Sequence, residues 1–155
     1  MSNPTSSIRV DVKNRLYQLL ADEFLEDVTV AYGHPREGIT SPTVFLGKVT
    51  GEQSIPDMRA GRKRRRDVFT VEIWMVAIAD GDQTGEEADA VAASLLARVD
   101  GLFADKPTLS DDGANGLPGL HHCYLTKVDG PVPDITDQGR MAFYTADLHC
   151  TTTTD

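Results

Sequence analysis

Arg62-Lys63-Arg64-Arg65-Arg66-Asp67-Val68-Phe69-Thr70-Val71-Glu72-Ile73-Trp74-Met75-Val76-Ala77-Ile78-Ala79 joins the most basic part of this sequence to its most apolar part. From Val68 onward the run is rich in β-branched and aromatic residues, holds no Gly or Pro, and stops at the turn-forming Asp80-Gly81-Asp82. It reads as a strand. Alternation sends Phe69, Val71, Ile73, Met75 and Ala77 to one face and Val68, Thr70, Glu72, Trp74, Val76 and Ile78 to the other. Apolar residues on both faces make it a central strand, with helices on one side and a neighbour or partner subunit on the other. At about 3.3 Å per residue it spans roughly 40 Å, beyond the usual strand length, so a partner subunit is one candidate for covering it.

The chain of 155 residues is the size of one domain and can bury on the order of 70% of its unfolded surface without disulfide staples. Two cysteines, Cys123 and Cys150, are too few for a secreted framework, and residues 1–7 show no basic and apolar leader pattern. The longest apolar run, Ile73 to Ala79, is too short for a bilayer, so a soluble protein made in the cytoplasm is expected. The net charge of −9 is unevenly spread. Arg59, Arg62, Lys63, Arg64, Arg65 and Arg66 supply 6 of the 15 basic residues, leaving 9 positive against 24 negative charges elsewhere. An acidic body with one basic loop argues against a general nucleic-acid binder and fits self-assembly, the loop meeting an acidic patch on a copy or partner.

Working outward, residues 1–7 read as a flexible polar tail, followed by a helix from Ile8 to Glu23 capped by Ser6 or Ser7. Ile8, Val12, Leu16, Leu19 and Leu20 recur at helical spacing, leaving Lys13, Arg15 and Asp22 to water. Val28 to Tyr32 and Thr43 to Val49 are short strands, and Thr50 to Arg66 is a basic loop without apolar periodicity. Thr84-Gly85-Glu86-Glu87 has the form of a capping box and opens a helix that Gly101 is expected to end. The last third reads as a hairpin, with strands near Leu120 to Val128 and Arg140 to Thr151 around a turn at Gly130 to Asp134. These elements make a single α+β domain: an antiparallel sheet of four to five strands with two α-helices packed on one face. The other face is where a subunit contact is expected.

Catalytic and cofactor signatures are missing from the sequence: it has no Gly-x-Gly-x-x-Gly, no Walker-type loop, no His-Glu-x-x-His and no Gly-x-Ser-x-Gly. No enzyme activity and no cofactor are expected. His121, His122, Cys123, His149 and Cys150 contain zinc-type donors, and a hairpin would bring His121 near His149 with Cys123 on the face of His121. Yet Cys150 would point away from His149 and no Cys-x-x-Cys spacing reinforces the set, so buried core cysteines are the favoured reading and no metal is assigned. The acids at Asp80, Asp82, Glu86 and Glu87, and at Asp111 and Asp112, do not follow a calcium-loop pattern. Turn formation, capping and solvation account for them. The basic loop reads either as a solvated charge run or as a salt-sensitive contact with DNA phosphates or an acidic protein surface.

The layout resembles a family. A N-terminal amphipathic helix, a strand ending in Tyr32-Gly33, Arg64-Arg65-Arg66-Asp67 leading into a long strand, the Asp80-Gly81-Asp82 turn, a Glu-rich helix, Pro107-Thr108-Leu109 and a closing hairpin with Gly139-Arg140-Met141-Ala142 are similar to the tail terminator proteins of long-tailed phages. That resemblance implies a virion protein of the tail or neck. Such proteins form a hexameric ring that caps the tail tube, stops its polymerisation and offers a docking surface to head-tail connector or stopper proteins, with DNA passing through the channel without sequence specificity. On this reading Trp74 and Val76 belong at subunit contacts, and Arg59, Arg62, Lys63, Arg64, Arg65 and Arg66 face the tube or the DNA channel. Connector, stopper and tail tube proteins are related alternatives. A small metal- or nucleic-acid-binding module using His121, Cys123, His149 and the basic loop is a different class.

Overall fold

The computed structural model describes residues 8–24, 28–36, 38–39, 41–54, 65–79, 85–109, 120–136 and 139–154. In chain order the elements are α1 (Ile8–Glu23), β1 (Thr29–Ala31), β2 (Thr43–Ser54), β3 (Arg65–Ala79), α2 (Glu86–Asp105), β4 (Leu120–Thr136) and β5 (Gly139–Thr154). The strands form one sheet in the order β1-β2-β3-β5-β4, which places the quoted stretch at its centre. β1 lies parallel to β2, and the other neighbours are antiparallel. The fold is α+β with a mixed sheet, the three-residue β1 supplying the parallel pair.

Both helices cover the same face. Val12, Leu16, Leu19 and Leu20 of α1 and Leu95, Val99, Leu102 and Phe103 of α2 share one buried cluster with Phe69, Val71, Ile73 and Met75 of β3. The alternation read from β3 is therefore realised, since these four residues are at most 1% exposed. Each such Leu, Ile or Phe contributes about 1.5–3 kcal/mol by leaving water. Nearer the end of β3, Ala77 and Ala79 meet Ala88 and Ala92 of α2 in a cluster of small residues.

The N-terminal end of α1 is pinned to β3 by an ion pair. Arg9 donates from Nε and Nη2 to the two carboxylate oxygens of Asp67, both at 2.7 Å, and the Asp67 side chain is 4% exposed. Further along α1, Arg15 donates from Nε to the carbonyl of Leu109 at 2.7 Å. Leu109 is fully buried with a left-handed φ of 59°, a conformation held by packing and by that bond. Arg15 thus binds the protein rather than pointing only to water, and Lys13 lies 4.4 Å above the Tyr32 ring.

Several boundaries differ from expectation. β2 continues to Ser54 and β3 begins at Arg65, so the strands claim both ends of the stretch read as a basic loop; Ser54 pairs with Arg66. Gly85, not Thr84, occupies the position before α2, in a left-handed conformation with no side-chain cap. Thr84 and the caps Ser6 and Ser7 lie outside the described residues. α2 runs through Gly101 to Asp105 because Leu102 and Phe103 are buried, and core packing outweighs one glycine's propensity.

The hairpin differs most. Gly130 to Asp134 lies within β4, and Thr136 pairs with Gly139 across the turn. Three bulges, at Leu120/His122, Leu125/Val128 and Asp129/Val132, each insert one extra residue into β4 relative to β5. β4 is an edge strand, where Pro131 and Pro133 need not break an internal ladder. Gly130, with φ 127°, fits a bulge in which an added Cβ would lie 2.7 Å from the Phe143 carbonyl oxygen. Among the described residues, no helix is long and apolar enough to cross a membrane.

Candidate functional site

With both helices on one side, the opposite face of the sheet is left open by the described residues, and its side chains divide into three zones. At one end, β2, β3 and β5 each present an aromatic ring. Phe45 pairs with Trp74 in register and stacks on it at 5.5 Å between centroids, and Phe143 stacks on the other side of Trp74 at 5.3 Å. His34, on the segment after β1, closes on Phe45 edge-to-face at 5.1 Å. Together with Ile39, Val76 and Met141 these rings line a shallow, mainly apolar groove of about 390 Å³.

Glu72 fixes the orientation of Trp74: the indole Nε1 donates to Glu72 Oε1 at 2.6 Å. Gly47 makes that bond possible, because a Cβ there would sit 2.5 Å from the same Glu72 oxygen and 3.1 Å from the indole nitrogen. The bulge between Leu46 and Val49 brings Gly47 over this pair. Trp74 is therefore a positioned ring on a rigid strand, open enough to take part in a contact. Val76 is only 2% exposed and forms the floor of the groove.

The middle zone is polar. Lys48, Thr50, Thr70, Glu72, Thr145 and Asp147 surround a depression of about 260 Å³, with Lys127 and Asp129 at its rim, 3.8 Å apart and well exposed. The third zone, on β4 and β5, carries His122, Tyr124 and His149. Tyr124 lies 5.5 Å from His122 and 5.1 Å from His149, while His121 Nε2 meets Thr153 Oγ1 at 2.8 Å.

Cys123 faces the helices and is 1% exposed. The bulge between Leu120 and His122 shifts the register, so Cys123 does not share a face with His121 as expected. Instead it pairs directly with Cys150, the two sulfurs 3.2 Å apart, both free thiols. The Cys150 thiol is held well above its ordinary pKa, first by the hydrogen bond with Cys123, then by burial and by the charge of a neighbouring thiolate. Among the described residues no group of three or more His, Cys, Asp or Glu side chains gathers to hold a metal.

Of the basic residues, Arg65 and Arg66 are the first residues of β3, and Arg66 is exposed. Arg59, Arg62, Lys63 and Arg64 lie outside the described residues. Sequence reading singled out Trp74 and Val76 but missed Phe45, Phe143 and His34. The signal for Phe45 was its place in an apolar strand, but only the register sets it against Trp74.

The class defined by this architecture is an α+β domain with one sheet, helices on one side and an aromatic-to-polar open face on the other. No family model and no curated protein matches the chain. Among solved structures, a chain titled as belonging to the virion of a native gene transfer agent particle is similar in fold, with a TM-score of 0.57. The match covers 92% of this chain and 95% of that one at 16% sequence identity. Likeness at that identity is likeness of fold.

Proposed function

We propose that this chain is a structural protein of a phage-like particle. More narrowly, it acts as a tail terminator, six copies forming a ring that caps the tail tube, ends its polymerisation and presents the head-docking surface while DNA passes through the centre. One observation carries this reading: the fold likeness runs almost end to end along both this chain and a virion chain, with neither left with a large unmatched part. The open sheet face supports it, since an apolar groove rimmed by polar residues is suited to a protein contact. Trp74 is assigned to a subunit contact with Val76 beneath it, and the basic run, including Arg59, Arg62, Lys63, Arg64, Arg65 and Arg66, to the tube or the DNA channel. A head-tail connector or stopper ring draws on the same likeness and differs in where it binds.

Negative-stain electron microscopy with mass measurement over a concentration series tests the ring, and mixing with tail tubes tests the position. Six-fold rings that cap tube ends and limit tube length are expected for a terminator; rings that bind only the head-side assembly would make it a connector. A monomer at every concentration that also leaves tubes uncapped would overturn the assembly reading. Replacing Arg64, Arg65 and Arg66 with Ala is expected to weaken assembly or DNA contact while leaving the melting temperature unchanged.

A further inference from the structure

Cys123 and Cys150 lie 27 residues apart in sequence and opposite each other on β4 and β5, with sulfurs at 3.2 Å. The Cys123 backbone N–H donates outward, to the carbonyl of Pro107 at 2.6 Å, and so turns away from β5. In an antiparallel ladder this marks the pair as a non-hydrogen-bonded one, whose Cα atoms lie about 4.5 Å apart and whose side chains approach most closely. That separation falls inside the range a disulfide spans, roughly 4.4–6.8 Å between Cα atoms.

Access comes from the helix side. Cys123 borders a cleft of about 240 Å³ between α2 and β4, walled by Phe103, Ala104, Pro107 and Leu125. A molecule a little larger than water fits such a space. Cys150 lies behind Cys123 and is fully buried.

We propose that Cys123 and Cys150 form an oxidisable pair that a small peroxide closes into a cross-strand disulfide, tying the edge strand β4 to β5. Cys123 loses its proton and its sulfur attacks one oxygen of hydrogen peroxide. The O–O bond breaks, the departing hydroxide takes up the proton as water, and Cys123 becomes a sulfenic acid. The sulfur of Cys150 then attacks the Cys123 sulfur, the S–O bond breaks, and the hydroxide leaves with the Cys150 proton as a second water. Two thiols are oxidised by two electrons, and one peroxide is reduced to two waters. Cys123 reacts first because it borders the cleft, whereas Cys150 lies behind it. The pair stands independently of any assembly the chain enters.

The test treats the full-length, reduced protein with hydrogen peroxide and then denatures it. Titratable thiols are expected to fall from two to none, the intact mass to drop by two hydrogens, and peptide mapping to show the Cys123 and Cys150 peptides joined within one chain until dithiothreitol releases them. Two thiols still titratable, oxygen atoms added without a cross-link, or a disulfide joining two chains would each overturn the proposal.

Discussion

At the scale of single residues, the firmest electrostatic contact is Arg9 on Asp67. The carboxylate is almost fully buried and receives two charge-assisted bonds, whereas the guanidinium keeps 26% of its side chain exposed. Its partner raises the pKa of Arg9, burial opposing in part, so the guanidinium stays charged across the neutral range. Arg9→Ala leaves a buried carboxylate without its cation and is expected to destabilise the fold by about 3 kcal/mol, read as a lower denaturant midpoint. Cys150 carries a pH dependence. Its folded-state pKa is raised, so the folded state keeps a proton that the unfolded chain releases above about pH 9, and stability falls as pH rises from there. Thermal melts between roughly pH 8 and pH 10 are expected to show stability falling as pH rises through this thiol. In Cys150→Ala that part of the slope disappears.

Among the elements, two glycines give opposite expectations for the same substitution. Gly101 is exposed inside α2 and a Cβ there meets nothing within 4 Å, so Gly101→Ala should stabilise the protein by about 0.5–1 kcal/mol. Gly51 sits in β2 opposite Phe69, where a Cβ would lie 2.5 Å from the Phe69 Cα, and the backbone of a central strand cannot yield. Gly51→Ala is expected to destabilise by about 1–3 kcal/mol. Thermal melts of the two variants side by side check both signs. The hairpin shows how an element resists local reading: its prolines and Gly130 mark a turn in any isolated peptide, yet the edge position and three bulges let the strand run on.

For the whole molecule, the division of labour is between the two faces of one sheet. The helix side holds the core, and the open side carries the aromatic groove, the polar depression and the His–Tyr cluster. Edge pairing by β4 is discouraged by its bulges and prolines. His34 is exposed at the groove rim, so His34→Glu should leave the melting temperature within about 2 °C of the parent, as surface changes usually do. If the groove is the subunit contact, the same change places a charge in an apolar interface and is expected to weaken association at least tenfold, measured by sedimentation over a concentration series.

Local pattern was enough for part of this. Alternation in residues 68–79 marked β3 and its buried face, helical spacing bounded α1 at Ile8 and Glu23, and the order of elements pointed to α+β with both helices on one side. Those features depend on side-chain period, which any short window of sequence displays. The open face was anticipated from the shortage of helices, and Trp74 from its place on β3, but not the stack that Phe45 and Phe143 make around it. Partners across strands were not legible, because register follows from where bulges and turns insert residues, and a shift of one residue exchanges the two faces. Thus Cys123 meets Cys150 rather than the histidines, and Arg9 meets Asp67 across 58 residues of chain. Only the assembled sheet brings those distant positions together.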